Sequence, residues 1–106
     1  MAGQKENMEA KIWNKSFWIG ETDHGAVVER FEPILLKSGF HIEGMVEKHF
    51  KPFGYSVVWL LSESHFAVHT FPEESKCYCE LSSCVEECFN NFLKLEGIKI
   101  DAISPF

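Results

Sequence analysis

The sequence predicts an α+β fold: a two-layer α/β sandwich in which a mostly antiparallel sheet carries helices on one face. Three observations predict it. Short β-rich runs separated by turn signals follow one another from Phe40 to Ser82. Val85, Cys88, Phe89, Phe92 and Leu93 form an i, i+3, i+4, i+7, i+8 stripe, the mark of a helix with one buried face. No repeat, linker or low-complexity segment interrupts the chain, so residues 1–106 are expected to form a single domain.

Ile12 to Ile19 clusters Trp, Phe and Ile around Asn14-Lys15 and reads as a half-buried strand. Thr22-Asp23 offers an N-cap, and Val27, Val28, Phe31, Ile34 and Leu35 follow at helical spacing until Gly39 supplies a stop. Pro33 lacks the N–H that would bond Glu29, so a kink near Glu29 or a turn between two helical pieces is expected. Three strands come next: Phe40 to Phe50, Tyr55 to Ser62 after the Pro52-Phe-Gly54 turn, and Ser64 to Phe71 ending at Pro72. Lys76 to Ser82 sets Cys77, Cys79 and Leu81 against alternating polar residues, the period of a strand with one buried face. After the Val85 helix, closed by Gly97, the alternation of Ile98, Ile100 and Ala102 predicts a last strand.

Composition excludes several classes of function. Ten Lys and Arg against 16 Asp and Glu give a formal charge of −6, so no basic field exists to hold nucleic acid or an anionic membrane. A cationic or zwitterionic small ligand fits better. At 45% hydrophobic, with ten phenylalanines, the chain is too apolar for disorder, yet no apolar run is long enough to span a bilayer. Met1 to Ala10 is polar and lacks the layout of a signal peptide, which predicts the cytoplasm and four cysteines kept as thiols. A domain of 106 residues is small enough that a partner subunit is expected to complete its cleft.

Chemistry concentrates in Leu61-Ser-Glu-Ser-His-Phe-Ala-Val-His-Thr-Phe-Pro-Glu73, a strand-like run holding a Glu63-Ser64 peptide bond. The Ser64 hydroxyl can attack the Glu63 carbonyl through a five-membered ring, turning amide into ester. That step needs a strained peptide and hydrogen bonds to the oxyanion. A base that removes the Ser64 α-proton then expels the Glu63 carboxylate, and the dehydroalanine left behind hydrolyses to a pyruvoyl group and ammonia. Neutral imidazole suits that role at cytoplasmic pH.

This run resembles the self-cleavage segment of S-adenosylmethionine decarboxylase proenzymes of the short, prokaryote type. The match is dense from about Phe50 to Cys84, where Gly54-Tyr-Ser56, Glu63-Ser64-His65, His69 five positions after Ser64, and Cys84 twenty after it agree with the family spacing. The resemblance implies cleavage into a β chain of residues 1–63 and an α chain of 64–106. Ser64 becomes a pyruvoyl cofactor that forms a Schiff base with the substrate amine. His69 is implied as processing base, Ser56 as an aid to processing and substrate, and Cys84 as proton donor in the decarboxylation of S-adenosylmethionine to the aminopropyl donor of spermidine synthesis. Phe50 and Phe71 are implied to stack on adenine, and Glu73 to hold the ribose hydroxyls. The family fold dimerises and builds each site from both protomers, so a homodimer is the implied assembly. The sequence departs from the family in its N-terminal half, in Cys77-Tyr-Cys79, and in Val85 where glycine is common.

Two rival functions remain beside this one. A pyruvoyl enzyme could act on arginine or ornithine, and a homologue that never cleaves could serve as a binding or regulatory partner. His65 would point away from Ser64 on a strand, so packing suits it as well as catalysis. Cys77, Cys79, Cys84 and Cys88 lack the C-x2-C spacing of a zinc knuckle; no metal is expected, and all but Cys84 read as small buried hydrophobes.

Overall fold

The computed structural model describes residues 11–98, which form a five-stranded antiparallel sheet with two helices against one face. Strand β1 (Trp13–Ile19) leads through helix α1 (His24–Lys37) to β2 (Ile42–His49). Strands β3 (Tyr55–Leu61), β4 (Ser64–Phe71) and β5 (Lys76–Ser83) follow, with a 3₁₀ turn at Pro72–Glu74, and helix α2 (Glu86–Glu96) ends the described chain. The order across the sheet is β1-β5-β4-β3-β2. Consecutive strands from β2 to β5 are hairpin neighbours, while α1 carries the chain from one sheet edge to the other. Fourteen helical residues at about 1.5 Å each cover about 21 Å. Four inter-strand gaps of about 4.8 Å need about 19 Å, so the helix fits the crossing.

Local chemistry explains where the helices begin and end. The Asp23 carboxylate caps α1 by accepting from the Ala26 N–H at 3.0 Å. At the other end, Gly39 (φ 105°) sends its N–H to Leu36 O and Phe40 sends its N–H to Leu35 O, with Phe40 buried as the apolar plug. The same device closes α2 at Gly97, and Ile98 donates to Leu93 O at 2.8 Å. Phe40 therefore belongs to a helix stop rather than to β2, which begins at Ile42. Helix α1 also runs unbroken through Pro33, with no turn dividing it into two pieces. The reason is position: Pro33 and Glu29 both lie on the solvent side, where water can satisfy the unpaired Glu29 carbonyl. The strand expected over Ile98 to Ala102 lies beyond the described residues apart from Ile98, which is outside any element.

Strand alternation fills the core. Trp59, Phe66, Val68, Cys77, Cys79 and Leu81 face Val27, Phe31 and Leu35 of α1 and Phe89, Phe92 and Leu93 of α2. Phe66 is the hub, its ring centroid 4.8 Å from Phe31, 5.1 Å from Phe92 and 5.8 Å from Trp59. The indole N–H of Trp59 reaches Glu32 at 3.1 Å, so the largest buried ring leaves no polar atom unsatisfied. Replacing Phe66 with Ala is expected to cost about 3–5 kcal/mol of unfolding free energy in urea titrations. Leu36→Ala, on the exposed side of α1, should cost under about 1 kcal/mol; equal losses would contradict this core.

Candidate active site

Among the described residues the opposite face of the sheet carries no helix, and the residues singled out by the sequence fall into two clusters at the two ends of β3 and β4. The first lies where β3 turns into β4. Only Ser62 and Glu63 connect these strands, and Glu63 takes the left-handed conformation (φ 60°) that side chains other than glycine rarely adopt. The Glu63-Ser64 bond thus sits in a hairpin turn and opens a strand, instead of lying within one. The Glu63 carbonyl accepts the Cys84 N–H at 3.0 Å. Ser64 pairs with Ser83 of β5 across the ladder, and its hydroxyl donates to Ser83 Oγ at 2.6 Å. A cleft of about 310 Å³ surrounds them, lined by Leu60, Glu63, His65, Ser82 and the exposed Cys84 among others. His65 is exposed and points away from the core that Ser64 faces.

The second cluster lies at the far end of β3 and β4. Ser56 and His69 are ladder partners, and Ser56 Oγ meets His69 Nδ1 at 2.6 Å on the open face. The His69 ring stacks on Tyr78 at 6.4 Å, which limits its rotation. A cleft of about 280 Å³ gathers Phe50, Phe53, Gly54, Ser56, His69, Phe71 and Glu73. Gly54 (φ 119°) allows the backbone to fold back so that Phe50 N–H donates to Gly54 O at 2.9 Å, which sets the Phe50 and Phe53 rings at the cleft mouth. This is an arrangement for holding a flat, partly apolar ligand beside a hydroxyl and an imidazole.

The two clusters do not meet within one chain. His69 lies five positions after Ser64, about 17 Å along a strand, and the odd spacing turns their side chains to opposite faces. Ser83 and Phe53 are site residues that sequence reasoning missed. Ser83 is found only once β4 and β5 are paired, whereas Phe53 follows Pro52 in a turn whose aromatic was legible but unassigned.

Electrostatic shifts lie mainly outside these clusters. The hydrogen bond with Cys77, and then burial, push the Cys79 thiol well above the ordinary thiol range, and burial pushes Cys88 up. Burial, with a hydrogen bond to Glu47, likewise raises the Tyr55 phenol. The hydrogen bond to Glu96 at 2.8 Å holds Arg30 charged beside the buried cysteines. Cys77 and Cys79 are buried, as expected, but Cys88 is only half-buried, with the turn at Gly39 against its sulfur. A soluble maleimide should therefore modify Cys84 in the folded chain and reach Cys77 and Cys79 only after denaturation, as peptide mass mapping would show. Equal labelling of all four would contradict these burials.

Comparison with known proteins converges on one family. A family model described as S-adenosylmethionine decarboxylase matches residues 22–95. Among curated proteins, S-adenosylmethionine decarboxylase proenzyme 2 of Bacillus cereus is 40% identical over 47 residues, covering 44% of this chain and 38% of that protein. The proenzyme of Geobacillus kaustophilus is 36% identical over 58 residues, 55% of this chain and 47% of its own. That of Archaeoglobus fulgidus is 32% identical over 68 residues, 59% and 61% of the two chains. The chain thus spans roughly two fifths to three fifths of these relatives. The crystal structure of the adenosylmethionine decarboxylase from Aquifex aeolicus superposes with a TM-score of 0.61 at 16% identity, covering 92% of this chain and 87% of that one, a likeness of fold.

Proposed function

The chain belongs to the S-adenosylmethionine decarboxylase family, and from that membership we propose that it is a proenzyme which cuts its own backbone between Glu63 and Ser64 and then decarboxylates S-adenosylmethionine. One observation carries the reading. The carbonyl that Ser64 would attack already accepts a hydrogen bond from Cys84 N–H, and it belongs to a residue held at φ 60°. Attack converts that carbonyl oxygen to an oxyanion, which the same N–H stabilises better than the ground state. The left-handed Glu63 costs about 1–2 kcal/mol, strain that opening the peptide would release.

The residues present fit a pyruvoyl group made from Ser64. Ser64 stands at the head of a strand beside a cleft, and the Cys84 thiol, the proposed proton donor, shares that cleft. Once formed, the group supplies the electron sink that lets the substrate lose carbon dioxide. Phe50 and Phe71 are proposed to stack on the adenine, Glu73 to accept from the ribose hydroxyls, and the exposed aromatic faces to attract the sulfonium. The product would be an aminopropyl donor for polyamine synthesis.

A complete site requires two chains. The open face exposes Val46 (72%), Leu60 (57%) and Trp18 (54%), with Val58 and Phe71 beside them. Two copies stacked face to face would bury this surface, with sheets about 10 Å apart. Because the Ser64 cluster begins β4 and the His69 cluster ends it, a two-fold axis lying between the sheets, at right angles to β4 and over its middle, would bring one chain's Ser64 cleft over its partner's His69 cleft. Leu60, His65 and Ser82, whose side chains lie on the open face, also line the Ser64 cleft, so a partner on that face would reach its rim. His69 would then act as processing base in trans, oriented by Ser56.

Intact mass spectrometry tests the chemistry. The purified protein should give two chains, the larger ending at Glu63 and the smaller lighter by one ammonia than a chain beginning with serine. Ser64→Ala should stay whole and inactive, and His69→Ala should stall as an ester that hydroxylamine cleaves between Glu63 and Ser64. An unsubstituted chain that stays intact through long incubation would end this reading; cleavage without S-adenosylmethionine turnover would leave the self-processing and move the substrate.

A further inference from the structure

Ser83 takes no part in the proposed bond changes, yet it is buried (1% exposed) and touches the proposed nucleophile. Its hydroxyl oxygen accepts from Ser64 Oγ at 2.6 Å and from Val85 N–H at 2.9 Å, and it donates to Val85 O at 3.3 Å. Two backbone groups therefore pin Ser83 before Ser64 is considered. The next residue, Cys84, sends its N–H to the Glu63 carbonyl. One short segment, Ser83 to Val85, thus grips both partners of the reacting pair: the oxygen of the electrophile through Cys84 N–H, and the hydroxyl of the nucleophile through Ser83.

We propose that Ser83 is a positioning residue for self-cleavage, holding the Ser64 hydroxyl in one rotamer with its proton directed away from the attacking lone pairs. The inference rests on the cleavage proposed above and deepens it. In the shift, the bond from Ser64 Oγ to the Glu63 carbonyl carbon forms, the bond from that carbon to the Ser64 nitrogen breaks, and the Oγ proton ends on that nitrogen. No outside reactant is needed. A free serine hydroxyl samples three staggered positions, and a buried one without a partner would be poorly solvated as charge shifts. Ser83 removes both problems, because its oxygen is fixed and takes a stronger hydrogen bond as the Ser64 O–H is polarised. The adjoining β5 register makes this possible, since Ser64 and Ser83 are direct ladder partners with both side chains on the core side.

The test follows full-length precursor from cell-free synthesis by intact mass, with melting temperature measured on the same variants carrying Ser64→Ala. Ser83→Ala, which removes the acceptor, and Ser83→Cys, which fills the space with a weak one, should each slow cleavage about tenfold or more. Ser83→Thr keeps the hydroxyl and should cleave within about threefold of the unsubstituted chain. Ser83→Ala cleaving at the unsubstituted rate would overturn the inference while leaving self-cleavage standing. So would a slowing in which the Thr variant is as impaired as the Ala variant and all three melt lower in proportion, the pattern of a packing role. If the unsubstituted chain never cleaves, this inference falls together with the reading beneath it.

Discussion

The two-residue period of β4 governs everything around it. Phe66, Val68 and Thr70 must face the helices, because Phe66 alone contacts rings from β1, α1, α2 and β3. That demand sends Ser64 to the same side and His69 to the other. A slip of one residue would put Phe66 and Val68 in solvent, so the hydrophobic core holds the register against a large penalty. The positions of the chemical groups are therefore set by groups with no chemistry of their own. The same alternation places the Ser64 and His69 clusters apart within one chain and, among the described residues, leaves an apolar face without a helix between them.

The hairpin at Ser62-Glu63 joins stability to reactivity. Gly39 and Gly97 supply left-handed residues at the helix ends, where glycine adopts them at little cost. Glu63 takes the same conformation with a side chain, and the β3–β4 and β4–β5 ladders on either side keep it there. A turn of two residues leaves little room for an alternative. Glu63, with Ser75 one of two non-glycine residues of positive φ among the described residues, stands at the peptide bond that the proposed self-cleavage would open, where the Cys84 N–H would stabilise the charge created by attack.

Much of the fold was legible because its periods are clean. Cys77, Cys79 and Leu81 alternate, and Phe89, Phe92 and Leu93 recur at helical spacing, so β5 and α2 follow almost residue for residue. Pro33 was harder, since the cost of a proline depends on whether the orphaned carbonyl meets water, and that depends on which side of α1 it occupies. Phe40 is apolar in either role, strand or helix plug, and only the backbone turn at Gly39 separates the two. In the candidate site, the resemblance to the family's motif singled out Ser56, Ser64, His69 and Cys84 as a proposed set. Strand parity alone turns Ser64 and His69 apart, five positions on one strand, whereas Ser83 lying against Ser64 arises from the pairing of β4 with β5 and is visible only in the structure.

If each working site takes Ser64 from one chain and His69 from another, as proposed, mixing two inactive variants should restore activity. Ser64→Ala and His69→Ala chains, each expected to be inactive alone, are unfolded together and refolded as a mixture. With random pairing, half the dimers contain one chain of each kind, and each of these holds one site with both residues intact, so about a quarter of the wild-type number of sites should form. The His69→Ala chains in those dimers should be cut at Glu63-Ser64, and decarboxylation of S-adenosylmethionine should appear with them. A mixture as inactive as its components, although shown to contain mixed dimers, would contradict a site shared between chains.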